Sequence, residues 1–385
     1  MRDRYPDYHL PGLGPHSPWW DRCYYSQQMR TRPSPSILVP LLREDPDFSG
    51  LSDPAHWHAV QEAALAHRMQ ALIAFAVRSH VSAANRAWCD RMLTECWQRH
   101  DRNILNLDQA LEIMARANIE VLVLKGPILG RRHFQPPFLR RISVDIDLAV
   151  RDRDLERAVA ALAGEGFTPG MSTEISRRTS HHLALSRPGA AVIELHTKLS
   201  KLSVEGLMDD LFARATHHEL PTGRLACIPC PADEMLGLFE HLAGDRFGSF
   251  SHLYELRRIW RASDAGLRTE VLAAAQRYRV SASVWLTHIA LQTYWGERLL
   301  ENEGAIPRSW LHGTLNEAFL HRMERNVAQG GERTAGARLE GRWLDLHMTE
   351  SPAEALRMAG LITAVAFREA LSGRLGTVPR PEWPA

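Results

Sequence analysis

The sequence predicts an α+β protein in which a small sheet is set between helical regions. Three observations carry this. Ile119–Leu124 is a short, nearly all-apolar run, as expected of a buried strand. Ile142–Val150 alternates cleanly, with Val144, Ile146, Leu148 and Val150 on one side and Ser143, Asp145, Asp147 and Ala149 on the other. On either side of this stretch the apolar residues recur at helical spacing.

The elements follow in chain order. Residues 1–35 are rich in Pro, Arg, Tyr and Trp without a period and read as an irregular lead. Residues 36–118 read as a helical N-terminal region. Asp53-Pro54 has the chemistry of an N-cap followed by proline at the first helical position. Leu65, Met69, Leu72 and Ile73 continue that periodicity. A longer helix is expected from about Ser82 to Ala117, with Ile104, Leu107, Leu111 and Met114 along one face.

Residues 119–230 form the expected core. Lys125-Gly126-Pro127 follows the first strand as a turn into a short helix reaching Phe134. Asp152–Gly164 reads as a helix. His182–Ser186 and Val192–Leu199 read as a hairpin around Arg187-Pro-Gly-Ala190. Residues 231–385 read as a helical C-terminal region. Its segments are expected to open at Pro231 and to run near Ser251–Ala262, Leu267–Tyr278, Ala282–Leu300, Thr314–Val327 and Pro352–Leu371.

Composition limits the function. The chain of 385 residues carries 46 basic and 45 acidic side chains, which gives no global electrostatic footprint for nucleic acid. Five cysteines are too few for a disulfide framework, and Cys227-Ile-Pro-Cys230 lacks the second ligand pair that a zinc site needs. The opening Met-Arg-Asp-Arg-Tyr-Pro has no apolar signal region, and no stretch approaches the ~20 apolar residues of a membrane span. A cytoplasmic protein without a membrane partner is the expectation.

The chemistry concentrates on the alternating strand. Asp145 and Asp147, two residues apart, project to the same side, where like charges disfavour ionisation unless a cation lies between them. A hard divalent cation, Mg2+ or alternatively Mn2+, resolves this best. Glu194 on a later strand offers a third carboxylate if the two strands are neighbours, an arrangement suited to a two-metal site. The Lys125-Gly126 turn ahead of a helix provides free N–H groups and a positive charge for phosphate oxygens. Arg141, four residues before Asp145, could reach the same phosphates, and His196 lies two residues from Glu194.

The run Leu124-Lys125-Gly126, then Arg141-x-x-x-Asp145-Ile-Asp147-Leu, then Glu194-Leu-His196 resembles the bacterial uncharacterised nucleotidyltransferase family, within the DNA polymerase β-like nucleotidyltransferase superfamily. The resemblance spans roughly residues 37–260, with Ala66-His67-Arg68 in the helical lead and His241 on a later helix. It implies a polymerase β-like core. It also implies Mg2+-assisted transfer of a nucleoside monophosphate from an NTP, ATP foremost, to an acceptor hydroxyl or phosphate, with release of pyrophosphate. Family members often accompany peptide natural-product genes, so a small molecule or peptide is the favoured acceptor. RNA ends, protein side chains, or nucleotide binding without catalysis are the rival readings. Under the resemblance Asp145, Asp147 and Glu194 hold metal, and Lys125, Gly126, Arg141 and His196 bind nucleotide. Two features depart from the superfamily pattern: Gly126 is followed by proline rather than Ser or Gly, and the third acid is Glu rather than Asp.

Overall fold

The computed structural model describes residues 33–300 except 142, 175–180, 200–203, 205 and 246. The segments read at 314–327 and 352–371, and most of the lead at 1–35, lie outside the described residues. The fold is mixed α+β with a small mixed sheet, as the sequence implies.

Where the sequence suggests helix from Ser36 onward, the chain first makes three short 3-10 turns between Pro35 and Ser52. Helix α1 (Pro54–Ala66) starts as expected: the Asp53 carboxylate accepts the N–H groups of Ala55 and His56. The periodicity through Ile73 belongs to two helices, not one. Arg68 sits in the left-handed region at φ 56°, and α2 (Gln70–Val77) begins after it. The break is fixed from the side as well, because His67 Nε2 lies 2.9 Å from the Pro33 carbonyl oxygen. Ser82 caps α3 (Ala83–Arg116), and Ile104, Leu107, Leu111 and Met114 are all buried along it.

Strand β1 (Val121–Val123) is shorter than the apolar run that announces it. Helix α4 (Gly126–His133) follows at once, then a 3-10 turn at Pro137–Leu139. The two pack so closely that a Cβ at Gly130 would lie 2.8 Å from the Pro137 carbonyl oxygen, which only glycine permits. Next come β2 (Asp145–Val150), α5 (Leu155–Gly164), β3 (Thr168–Pro169), β4 (His182–Ser186) and β5 (Val192–His196).

Helices dominate beyond residue 200, as the sequence suggests, but the stretch from 200 to 230 also holds strands. It holds α6 (Leu207–Ala213) and a separate hairpin of β6 (Thr216–Glu219) and β7 (Leu225–Ile228). The alternation in these four-residue strands is too short to register as a period. Helices α7 (Pro231–Gly244), α8 (Phe250–Ala262), α9 (Ala265–Arg277) and α10 (Ser281–Trp295) complete the described chain. Helix α10 stops short of Leu300 because Gly296 takes the left-handed conformation at φ 69° and closes it. No helix among the described residues is long and apolar enough to cross a membrane.

The main sheet has strand order β1-β2-β5-β4-β3. Only the β2–β5 pair is parallel; the others run antiparallel. Its two faces differ in what covers them. Ile146, Leu148, Ile193 and Leu195 pack with Leu111 and Met114 of α3 and Leu155 and Leu162 of α5 in one apolar cluster. Ala149, on the face that carries the aspartates, joins a second cluster instead. That cluster unites the N-terminal helices (Trp57, Leu93) with α7 and α8 (Phe239, Phe250, Trp260). The helical regions before and after the core therefore share one interior. They meet over the polar face of the sheet.

Candidate active site

The parallel pairing of β2 with β5 aligns Asp147 with Glu194, Asp145 with Val192 and Ala149 with His196. Side chains opposite each other in a sheet share a face. The two strands that carry the acids are thus direct neighbours, and their carboxylates converge. The next strand continues the row, since His182 pairs with His196 across β4 and β5.

Asp147 is the centre of the cluster and is only 6% exposed. Its Oδ1 accepts from His196 Nε2 at 2.9 Å and lies 3.4 Å from Lys125 Nζ. Burial opposes ionisation of Asp147. The Lys125 ammonium and the His196 hydrogen bond overcome this and hold the carboxyl well below the usual carboxylate range. Burial also disfavours a charged His196, but the hydrogen bonds to Asp147 and Glu194 prevail and raise it above 6.5. Glu194 lies between two imidazoles: Oε2 is 3.5 Å from His196 Nε2 and Oε1 is 3.7 Å from His182 Nε2. One donor atom each from Asp147, Glu194 and His196 lies within 4.8 Å of the others, close enough to share an ion.

Asp145 stands at the strand's start and is partly exposed. Ser143 Oγ donates to its Oδ1 at 2.8 Å, and Asn103 of α3 holds the Ser143 carbonyl at the same distance. The long helix thereby fixes the entry into β2.

Lys125 is the last residue before α4, and Gly126 takes φ +62°, which glycine alone adopts without strain. A Cβ at Gly126 would meet nothing within 4 Å, so the space beside the turn is open. On one side of the turn a cavity is lined by Gly126, Pro127, His100, Asn103, Arg140 and Arg141. On the other, a second cavity is lined by Lys125, His196, Leu199, Asp233 and Glu234. The first is electropositive by construction. Arg140 is buried and Arg141 half-buried, and they share one counter-ion, Glu255, at 3.2 and 3.5 Å. By chemistry the sequence offers Arg140 and Arg141 as equal candidates, and the fold brings both to this cavity, anchored on the same carboxylate.

Burial, with Arg131 and Arg140 nearby, pushes the His100 imidazole from 6.5 down to about 4. Below pH 6.5 the unfolded chain takes up a proton that the native chain refuses. Stability therefore falls as pH drops from 6.5 toward 4. His100→Gln should remove roughly 2–3 kcal/mol of that loss. Urea midpoints at pH 7 and pH 4.5 test this, and equal acid-side losses in both proteins would refute it.

Of the residues singled out from sequence, Asp147, Glu194, His196 and Lys125 form one contact cluster. Asp145, Gly126 and Arg141 border it. His241 of α7, named in the resemblance, joins them, and two further groups come from elements distant in sequence: His182 from β4 and His252 from α8. Lys125 Nζ donates to His241 Nδ1 at 3.1 Å, so α7 reaches the site directly. The i, i+4 spacing of His241 and Asp245 was the available signal for this cluster; nothing local to His182 or His252 marks either. Cys227 and Cys230 are free thiols, and Cys230 Sγ donates to Asp233 Oδ2 at 3.1 Å. Among the described residues neither belongs to a group that could hold a metal ion.

A family model described as an uncharacterised nucleotidyltransferase matches residues 53–296, well over half of the chain. No curated protein matches the sequence.

Proposed function

The chain belongs to the uncharacterised nucleotidyltransferase family, and from that premise we propose that it transfers a nucleoside monophosphate from an NTP to an acceptor hydroxyl or phosphate, releasing pyrophosphate. The observation that carries this reading is the alignment of Asp147 with Glu194 across two parallel strands, beside the open Lys125-Gly126 turn.

The donor set fits a hard divalent cation. Asp145, Asp147 and Glu194 bring three carboxylates to one face, where the groups in contact with them are the Lys125 ammonium and the imidazoles of His196 and His182. Asp147 and Glu194, with Asp145 at the strand's start, would hold Mg2+ or Mn2+. Such an ion supplies charge neutralisation for the triphosphate and acidifies the attacking hydroxyl.

The chain's own residues supply the rest. The Gly126 turn leaves backbone room for phosphate oxygens at a helix N-terminus. The Lys125 ammonium is positioned at the boundary between that turn and Asp147. Arg140 and Arg141 give the adjoining cavity a fixed positive field, and Glu255 keeps both guanidinium groups in place before a ligand arrives. Pro127 contributes no N–H, so Lys125 takes a larger share of phosphate binding than the turn backbone. The acceptor oxygen attacks the α-phosphorus and pyrophosphate leaves from the Lys125–Arg141 side. Near-equal numbers of basic and acidic residues favour a small molecule or peptide over RNA as acceptor, and ATP is the first NTP to test.

The test is incubation of the purified chain with each α-labelled NTP, Mg2+ and a panel of acceptors, following label transfer and pyrophosphate. Lys125→Gln should raise KM for the NTP roughly tenfold or more. If no NTP binds with Mg2+ or Mn2+ present, the proposal fails.

A further inference from the structure

Helices α7 and α8 hold a second cluster that the transfer reaction does not use. His241 Nε2 lies 3.5 Å from Asp245 Oδ2, and His252 Nδ1 lies 3.0 Å from the same oxygen. The two rings meet edge to face with centroids 4.4 Å apart. His252 is only 8% exposed, and neither of its ring nitrogens makes a hydrogen bond; His241 Nε2 is buried without one as well. Buried imidazole nitrogens are ordinarily hydrogen-bonded, so three without such a bond, two of them facing one carboxylate, call for an explanation.

We propose that His241, Asp245 and His252 form a binding site for a divalent transition-metal ion, Zn2+ in the first instance, separate from the acidic site on the sheet. One donor atom from each residue lies within 4.8 Å of the others. Donor atoms around a tetrahedral ion with bonds of about 2.0–2.1 Å stand about 3.3 Å apart. The separations of 3.0 and 3.5 Å bracket that edge. Two imidazoles and one carboxylate suit a borderline ion such as Zn2+ better than Mg2+, which prefers oxygen alone. Asp245, 42% exposed, gives the ion a path from solvent and leaves room for a fourth ligand.

The surroundings agree with this assignment. Burial, followed by the nearby cations, keeps both imidazoles well below 6.5 and hence neutral, the form that binds metal. The cations facing His252 are Arg141, Lys125, Arg140 and Arg68. Arg140 and Arg141 are paired with Glu255, and Lys125 with Asp147, which reduces their opposition to a bound ion.

The site also touches the active centre. Lys125 can only donate, so His241 Nδ1 accepts its hydrogen bond and the ring proton sits on Nε2. Binding through Nε2 moves that proton to Nδ1. The Lys125 contact then ends and the ammonium is left to Asp147.

Cobalt and zinc binding to the tag-free full chain test the proposal. The wild-type chain should bind one equivalent of Co2+ that Asp147→Asn leaves in place, with the intense visible absorption of a four-coordinate ion, and Zn2+ should displace it. His252→Gln and Asp245→Asn should each weaken binding roughly a hundredfold or more. Asp147→Asn and His182→Gln should retain it. Circular dichroism checks the fold of each variant, and the exposed Asp245 gives a substitution that burial does not threaten. No Co2+ or Zn2+ binding, binding unchanged in both His252→Gln and Asp245→Asn, or binding lost in Asp147→Asn or His182→Gln would overturn the assignment.

Discussion

Asp147→Asn should lower the rate of nucleotidyl transfer roughly a thousandfold or more. The amide keeps the size of the side chain and loses the charge that Lys125, His196 and the proposed cation all address. It should also destabilise the chain when no ligand is bound. Lys125, 14% exposed, and His196, 2% exposed, would lose the carboxylate that compensates them. His196 can respond by giving up its proton, whereas Lys125 keeps its contact with neutral His241. The stability cost should therefore fall below the full value for a stranded buried charge, at about 1–3 kcal/mol. Single-turnover transfer of labelled nucleotide measures the first effect and chemical denaturation the second. Transfer persisting within tenfold of wild type would remove Asp147 from the reaction.

Glu255→Gln should produce the largest loss of stability of any single substitution at the site. Glu255 is 2% exposed and is the shared counter-ion of Arg140, 4% exposed, and Arg141, 9% exposed. Burial already presses the Arg140 guanidinium down from its ordinary value, with Glu255 the principal charge opposing that. Removing one partner of a buried ion pair costs about 3–5 kcal/mol, because the other charges remain buried without it. In a chain of this size that corresponds to a fall in Tm of roughly 4–6 °C. The arginines line the cavity at the Gly126 turn, so nucleotide affinity should fall with stability. A Tm within 1 °C of wild type, roughly the effect of less than 1 kcal/mol, would show that the arginines find compensation elsewhere.

Much of the candidate site was legible in the chain because its signals are local. A carboxylate pair on an alternating strand, a glycine turn after an apolar run, and an N-cap aspartate before proline each depend on residues a few positions apart. Asp145, Asp147, Lys125 and Gly126 could be marked on those grounds alone. Glu194 could be marked only on condition that its strand was a neighbour of β2, and the β2–β5 register meets that condition. Boundaries fared less well: Arg68 and Gly296 each stop a helix by adopting left-handed backbone, a choice settled by packing rather than by the apolar period.

What the sequence by itself determined is therefore the α+β composition and which acids and which turn are candidates for the site. The tertiary structure decided which charges meet. It set Lys125 between Asp147 and His241, residues 22 and 116 positions away along the chain. It gave Arg140 and Arg141 one buried carboxylate, and it closed His241, Asp245 and His252 into a single cluster. The physical reason is that a charge in a low-dielectric interior is governed by whatever lies within a few ångströms, and that neighbourhood is set by how helices and strands pack, not by their order in the chain.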